Sequence, residues 1–134
     1  MPREDIVQEE TRTIRVLVAD DDPTILRLVE TALPLAAPDI EIVGTEQHAE
    51  GLDEVVGRLR PDLVMVDHHF DARDGIEVGR ELSRLDPPPA LVLWTGTTSA
   101  ELRETAEQAG FVSVVEKDAD LEGLAATIRH IVLS

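Results

Sequence analysis

Four groups of polar residues stand directly at the ends of apolar runs. Asp20-Asp21-Asp22 follows the run Ile14 to Ala19, and Asp67 follows Leu63-Val64-Met65-Val66. Thr95 follows Ala90 to Trp94, and Lys117 follows Val112 to Val115 after a single Glu. Asp20, Asp21 and Asp67 supply hard anionic oxygens, which suit Mg²⁺ with its preference for oxygen and retained water. Carboxylates held close together repel one another, so a divalent cation would relieve strain among them. A phosphoryl oxygen could complete such a coordination shell, with the Lys117 ammonium and the Thr95 hydroxyl engaging the other oxygens. Asp67 would then be the nucleophile and form an acyl phosphate. It needs no general base, because a carboxylate is already ionised at neutral pH. Gly96 leaves room beside Thr95 for the incoming group.

These residues are far apart in sequence and can meet only if the strands that carry them end on one edge. Leu63–Val66 has no apolar–polar alternation, which suits a strand buried on both faces of a parallel sheet. The other runs form strands at Ile14–Ala19, Ile40–Gly44, Ala90–Trp94 and Val112–Val115. Between them lie helical faces. Asp22 and Pro23 are good N-cap and first-turn residues for a helix with Ile25, Leu28, Val29, Ala32 and Leu33 inward, ended by Pro34 and Pro38. Leu52, Val55, Val56 and Leu59 mark a second helix, stopped at Arg60-Pro61. Asp74-Gly75 opens a third with Val78, Leu82 and Leu85 inward, after a polar loop from His68, and Pro87-Pro88-Pro89 makes a rigid connector. Thr98 and Glu101 have capping-box spacing before Leu102, Thr105, Ala106 and Ala109, with Gly110 as C-terminal cap. Asp118 or Asp120 caps a last helix with Leu121, Leu124, Ala125, Ile128 and Val132 inward. Strand and helix thus alternate five times. That predicts an α/β fold: a five-stranded parallel sheet, doubly wound as (βα)5, with right-handed crossovers. Residues 1–13 are polar and without period and are expected to be a flexible arm. Residues 14–134 form the domain, with no linker or second domain expected after it.

The chain of 134 residues suits one domain. With aromatics at only 2%, the core must be built from Val, Leu, Ile and Ala. The absence of Cys excludes disulfides, thiol catalysis and thiolate metal sites, and it fits a reducing compartment. No apolar run approaches a membrane span and the N-terminus lacks a signal-peptide core, so a cytoplasmic protein without membrane association is expected. A net charge of −16 argues against nucleic acid as a direct ligand.

Taken together, the sequence resembles a response-regulator receiver domain of the CheY-like family over about Thr13 to Leu133. The acidic pair matches Asp20 and Asp21 in VADDDP, and the phosphoacceptor matches Asp67 in LVMVD. The loop glycine matches Gly75, the switch Thr matches Thr95 in LVLWTG, and the Lys matches Lys117 in VVEKD. The Lys117–Ala119 run is similar to NarL-like receivers. The resemblance implies the flavodoxin-like strand order 2-1-3-4-5. It implies that Asp67 takes a phosphoryl group from a histidine kinase or phosphotransfer protein. The domain would catalyse its own phosphorylation and dephosphorylation without being an enzyme on a separate substrate. It implies Mg²⁺ held by the carboxylates of Asp20 and Asp67, by Asp21 through water, and by the His69 backbone carbonyl. Phosphorylation would draw Thr95 inward and reshape the surface of the fourth helix, fifth strand and fifth helix. A single-domain receiver would signal to a downstream protein partner, and a homodimer is left open.

The chain departs from the family pattern in places. Phe70-Asp71 replaces the usual Met-Pro, which predicts a looser, more acidic turn. Val114 stands at the aromatic switch position three before the Lys, and an aliphatic side chain has less to gain from a rotamer flip. His69 and Thr97 occupy the positions that tune phosphoryl lifetime in the family. Two rival readings remain: a pseudo-receiver that binds partners without phosphorylation, and a haloacid-dehalogenase-type phosphatase using Asp20 at the start of Asp20-Asp21-Asp22-Pro23-Thr24. The latter leaves Asp67 without a role and lacks that family's final acidic motif. His68-His69 are expected to face water, His48 and His130 to lie on helix surfaces, and Trp94 to pack in the core.

Overall fold

The structure is a computed structural model and describes residues 12–134. The arm expected over residues 1–13 lies outside the described residues except for its last two. Of these, Arg12 donates from Nη2 to Asp62 Oδ1 at 3.0 Å.

Strands β1 (Ile14–Ala19), β2 (Ile40–Glu46), β3 (Leu63–Asp67), β4 (Ala90–Thr95) and β5 (Ser113–Glu116) form one parallel sheet in the order β2-β1-β3-β4-β5. Helices α1 (Pro23–Ala36), α2 (Leu52–Leu59), α3 (Gly75–Leu82), α4 (Ala100–Gln108) and α5 (Leu121–Leu133) are the crossovers. This is the expected doubly wound (βα)5 fold with flavodoxin-like strand order. Alternate residues of each strand feed two separate apolar layers. Leu17, Val64, Val66 and Leu93 pack with residues of α2, α3 and α4. Val16, Val18, Met65 and Val92 pack with residues of α1 and α5. Arg15, the one polar interruption in β1, donates to the carbonyls of Leu59 at 2.7 Å and Arg60 at 2.8 Å. A cation there satisfies the unpaired C-terminal carbonyls of α2.

Several local expectations are corrected. Helix α1 runs through Pro34 to Ala36, because Pro34 removes only one N–H in the last turn. Leu33 is fully buried, and its carbonyl accepts from Ala37 N–H at 2.8 Å, closing the turn. The inward stripe of α1 centres on Leu26, Val29 and Leu33, so Leu28 is 57% exposed. Ser99, not Thr98, caps α4 by accepting from Leu102 N–H at 3.0 Å. The Thr98 hydroxyl is turned into the protein without a partner among the described residues, and Thr105 faces solvent. Strand β2 extends to Glu46, and β5 begins at Ser113 with Val112 exposed. His48 lies in the β2–α2 connection rather than on a helix. Asp120 is the cap of α5, and Gly110 takes a positive φ of 104° after α4.

Candidate functional site

The carboxyl ends of β1, β3, β4 and β5 lie on one edge of the sheet and bring the singled-out residues together. Asp20 directly follows β1, Asp67 and Thr95 are the last residues of β3 and β4, and Lys117 directly follows β5. Ladder-like bonds extend each strand past its end and hold these backbones in place. Asp20 N–H donates to Glu46 O at 3.0 Å, His68 N–H to Trp94 O at 3.0 Å, and Lys117 N–H to Thr95 O at 2.8 Å.

Lys117 Nζ bridges two carboxylates, 2.8 Å from Asp20 Oδ2 and 3.0 Å from Asp67 Oδ1. Asp20 is fully buried, Asp67 almost so, and Asp21 is exposed beside them. Asp20 Oδ1 accepts from Asp22 N–H at 2.9 Å. The Asp20 Oδ2 contact is an ion pair without hydrogen-bond geometry, so this buried oxygen keeps unused acceptor capacity. Burial pushes the Asp67 carboxyl above its ordinary value; the Lys117 hydrogen bond opposes this and the Asp20 charge adds to it. Burial would lower the Lys117 ammonium, but its close contacts with the Asp20 and Asp67 carboxylates, together with their charges, outweigh this and raise it. Oxygens of Asp20, Asp21 and Asp67 lie within 4.8 Å of one another. Three carboxylates thus face one ammonium. The excess negative charge, the hard oxygen donors and the under-used Asp20 oxygen fit a small divalent cation.

The loop after Asp67 is tighter than expected. His69–Phe70 pairs antiparallel with Arg73–Asp74 in a short ribbon, and the two central residues Asp71 and Ala72 have φ of 55° and 62°. Positive φ at both positions matches a two-residue hairpin turn, and Asp tolerates that conformation. Phe70 anchors the ribbon in the core. Asp71 ties three segments together: its N–H donates to Asp21 Oδ2 at 3.2 Å, its Oδ2 accepts from Ala49 N–H at 3.0 Å, and its Oδ1 lies 3.6 Å from His48 Nδ1. Sequence reasoning missed this role of Asp71, because its partners lie 50 and 22 residues away.

Gly75 donates its N–H to His68 O at 2.7 Å. A Cβ there would lie 2.0 Å from the Asp67 carbonyl oxygen, so only glycine lets α3 start this close to the end of β3.

Thr95 is buried, and its hydroxyl donates to Thr97 O at 2.9 Å. His68, expected to face water, is half-buried, with Nδ1 3.4 Å from Thr95 Oγ1. Burial lowers its imidazole, helped by the adjacent His69. The two rings stack with centroids 4.3 Å apart. His69 N–H points at Asp67 Oδ1 at 3.4 Å. Trp94 is buried, as expected, with its indole N–H unpartnered among the described residues. Val114 is buried in the layer beneath α2, α3 and α4. Among the described residues no helix is long and apolar enough to cross a membrane.

Known proteins resemble this arrangement. The model of the response regulator receiver domain family matches residues 16–129. The protein-glutamate methylesterase/protein-glutamine glutaminase 1 of Syntrophus aciditrophicus is 36% identical over 107 residues, covering 78% of this chain and 30% of that protein. The protein of the same name from Caulobacter vibrioides is 35% identical over 120 residues, covering 89% of this chain and 35% of that protein. The chain therefore spans about a third of the length of these curated relatives. In fold, it is similar to the receiver domain of NarL from Mycobacterium tuberculosis, with a TM-score of 0.83, 21% identity and coverage of 92% and 98% of the two chains. It is likewise similar to the response regulator domain of Thermotoga maritima CheB, with a TM-score of 0.79, 23% identity and the same coverage. With sheet order, edge constellation and family match in agreement, the chain belongs to the response regulator receiver domain family.

Proposed function

We propose that this chain is a phosphoryl-accepting receiver of a two-component relay, with Asp67 as the acceptor. The observation that carries this reading is the Lys117 ammonium bridging Asp20 and Asp67 at 2.8 and 3.0 Å. The donor is a phosphohistidine on a histidine kinase or phosphotransfer protein. An Asp67 carboxylate oxygen attacks phosphorus, the P–N bond breaks, and its electron pair stays on the donor imidazole. Asp67 then carries an acyl phosphate. Lys117 holds the Asp67 carboxylate in place and offsets the charge of the transferring oxygens. The Thr95 hydroxyl exchanges its bond to Thr97 for one to a phosphoryl oxygen. The carboxylates of Asp20 and Asp67, with Asp21 through water and the His69 carbonyl, would hold Mg²⁺. When bound, the ion supplies positive charge that lets a phosphoryl group approach the carboxylates. The chain catalyses its own phosphorylation and dephosphorylation and turns over no separate substrate. Its output goes to a downstream protein through the surface of α4, β5 and α5. This reading takes the chain to be cytoplasmic.

A phosphatase reading through Asp20 gains nothing from the geometry, because that carboxylate is fully buried against Lys117 and unavailable to a substrate. The test is intact mass after incubation with acetyl phosphate and Mg²⁺. One added phosphoryl group on the wild type and none on Asp67→Asn is expected. Equal labelling of the variant refutes the acceptor assignment, and no labelling of either at short times, with beryllofluoride also failing to bind, favours a pseudo-receiver.

A further inference from the structure

We propose that His68 is a positioning residue for Thr95, holding its hydroxyl in the ground state and opposing the switch. The inference rests on the phosphoryl-accepting reading above.

The Thr95 hydroxyl has a single proton. Its bond to Thr97 O at 2.9 Å uses that proton, because a carbonyl can only accept. The contact from Thr95 Oγ1 to His68 Nδ1 at 3.4 Å is then favourable only if Nδ1 carries a proton and donates it. This holds for the neutral ring and for the imidazolium alike. Thr95 therefore has no proton left for a phosphoryl oxygen, and one of its two lone pairs is engaged by His68.

His68 is itself held. Its N–H donates to Trp94 O at 3.0 Å, its carbonyl accepts from Gly75 N–H at 2.7 Å, and its ring stacks on His69. The backbone on both sides of the imidazole is thus clamped to β4 and α3. The residue at the aromatic position on β5 is Val114, which is buried and offers no ring. The aromatic side chain that touches the Thr95 hydroxyl is His68, on the β3–α3 connection. Turning Thr95 toward a phosphoryl group must break this contact, and the His68–His69 stack at the sheet edge responds. His68 thereby sets how readily Thr95 leaves its resting place.

Two measurements test this on the whole chain. The first is the ring tautomer of His68 by long-range ¹H–¹⁵N correlation on ¹⁵N-histidine-labelled protein at a pH where the ring is neutral. His68→Gln identifies the signal by its loss. The proton is expected on Nδ1, and an Nε2–H tautomer overturns the proposal. The second is beryllofluoride affinity with Mg²⁺, followed by Trp94 fluorescence. His68→Leu removes the donor and is expected to tighten binding about two- to fivefold, the factor for a long neutral hydrogen bond. His68→Gln keeps a donor and is expected to restore the wild-type value. Equal affinity of wild type and His68→Leu overturns the proposal alone. Failure of the wild type to bind beryllofluoride overturns the functional reading and the proposal together.

Discussion

Gly75→Ala is the sharpest test of how the site is assembled. An alanine Cβ would lie 2.0 Å from the Asp67 carbonyl oxygen, 2.9 Å from its carbon and 3.0 Å from His68 Cα. All three are backbone atoms at the end of β3, so no rotamer change relieves the clash. Contacts under 3.0 Å are essentially never seen for Cβ atoms, so strand and helix must separate by about an ångström. That separation breaks the 2.7 Å bond from Gly75 N–H to His68 O and displaces Asp67. Forced overpacking of this kind costs about 1–3 kcal/mol, and the absence of any side-chain escape puts Gly75→Ala at about 2–3 kcal/mol. For a chain of 134 residues this lowers Tm by roughly 6–12 °C. Gly57→Ala is the control. It lies inside α2 with nothing within 4 Å of a new Cβ. There the reduced freedom of the unfolded chain should raise stability by about 0.5–1 kcal/mol. Thermal unfolding followed by far-UV circular dichroism reads both variants. Labelling by acetyl phosphate should fall with Gly75→Ala and persist with Gly57→Ala. If Gly75→Ala melted at the wild-type temperature, the close approach of α3 to β3 would be wrong.

Two further outcomes are expected. Lys117→Met leaves the buried Asp20 and Asp67 carboxylates facing each other. Orphaning a buried ion pair costs about 3–5 kcal/mol. Mg²⁺ should then raise the Tm of Lys117→Met more than that of the wild type, and wild-type stability without the ion would refute the bridge. Asp39 accepts two bonds from Arg129, at 2.8 and 2.7 Å, and its side-chain hydrogen bond to that guanidinium holds its carboxyl below the ordinary range. A depressed folded value contributes stability that is present above the unfolded value and lost as pH falls through the folded one. Asp39→Asn should therefore weaken the protein at pH 7 and flatten its loss of stability below about pH 4. Urea midpoints at neutral and acid pH check this, and parallel wild-type and variant curves would refute it.

Much of the architecture was legible along the chain because its signals are local. Unbroken apolar runs mark strands covered on both faces, and the Asp22-Pro23 and Asp120 caps act through bonds within a few residues. Elsewhere tertiary burial overrides local preference. Leu33 and Ala37 in the core carry α1 past Pro34, and burial of the Thr98 hydroxyl shifts the α4 cap to Ser99. The turn after Phe70 is tight, against the local expectation, because its stability comes from Phe70 in the core and from Asp71 bonds to Ala49 and Asp21.

The sequence by itself determined the kinds of chemical groups and their order: carboxylates, a hydroxyl and an ammonium, each placed after an apolar run. A parallel sheet must then bring them to one edge, since all its strands end on the same side. Only the tertiary structure decided their pairing. It placed Lys117 between Asp20 and Asp67 and engaged Thr95 with Thr97 and His68. It also tied Asp71 to Asp21 and started α3 against the end of β3 at Gly75. These are contacts of a few ångströms between segments distant in sequence, set by packing across neighbouring strands, and no period or spacing along the chain encodes them.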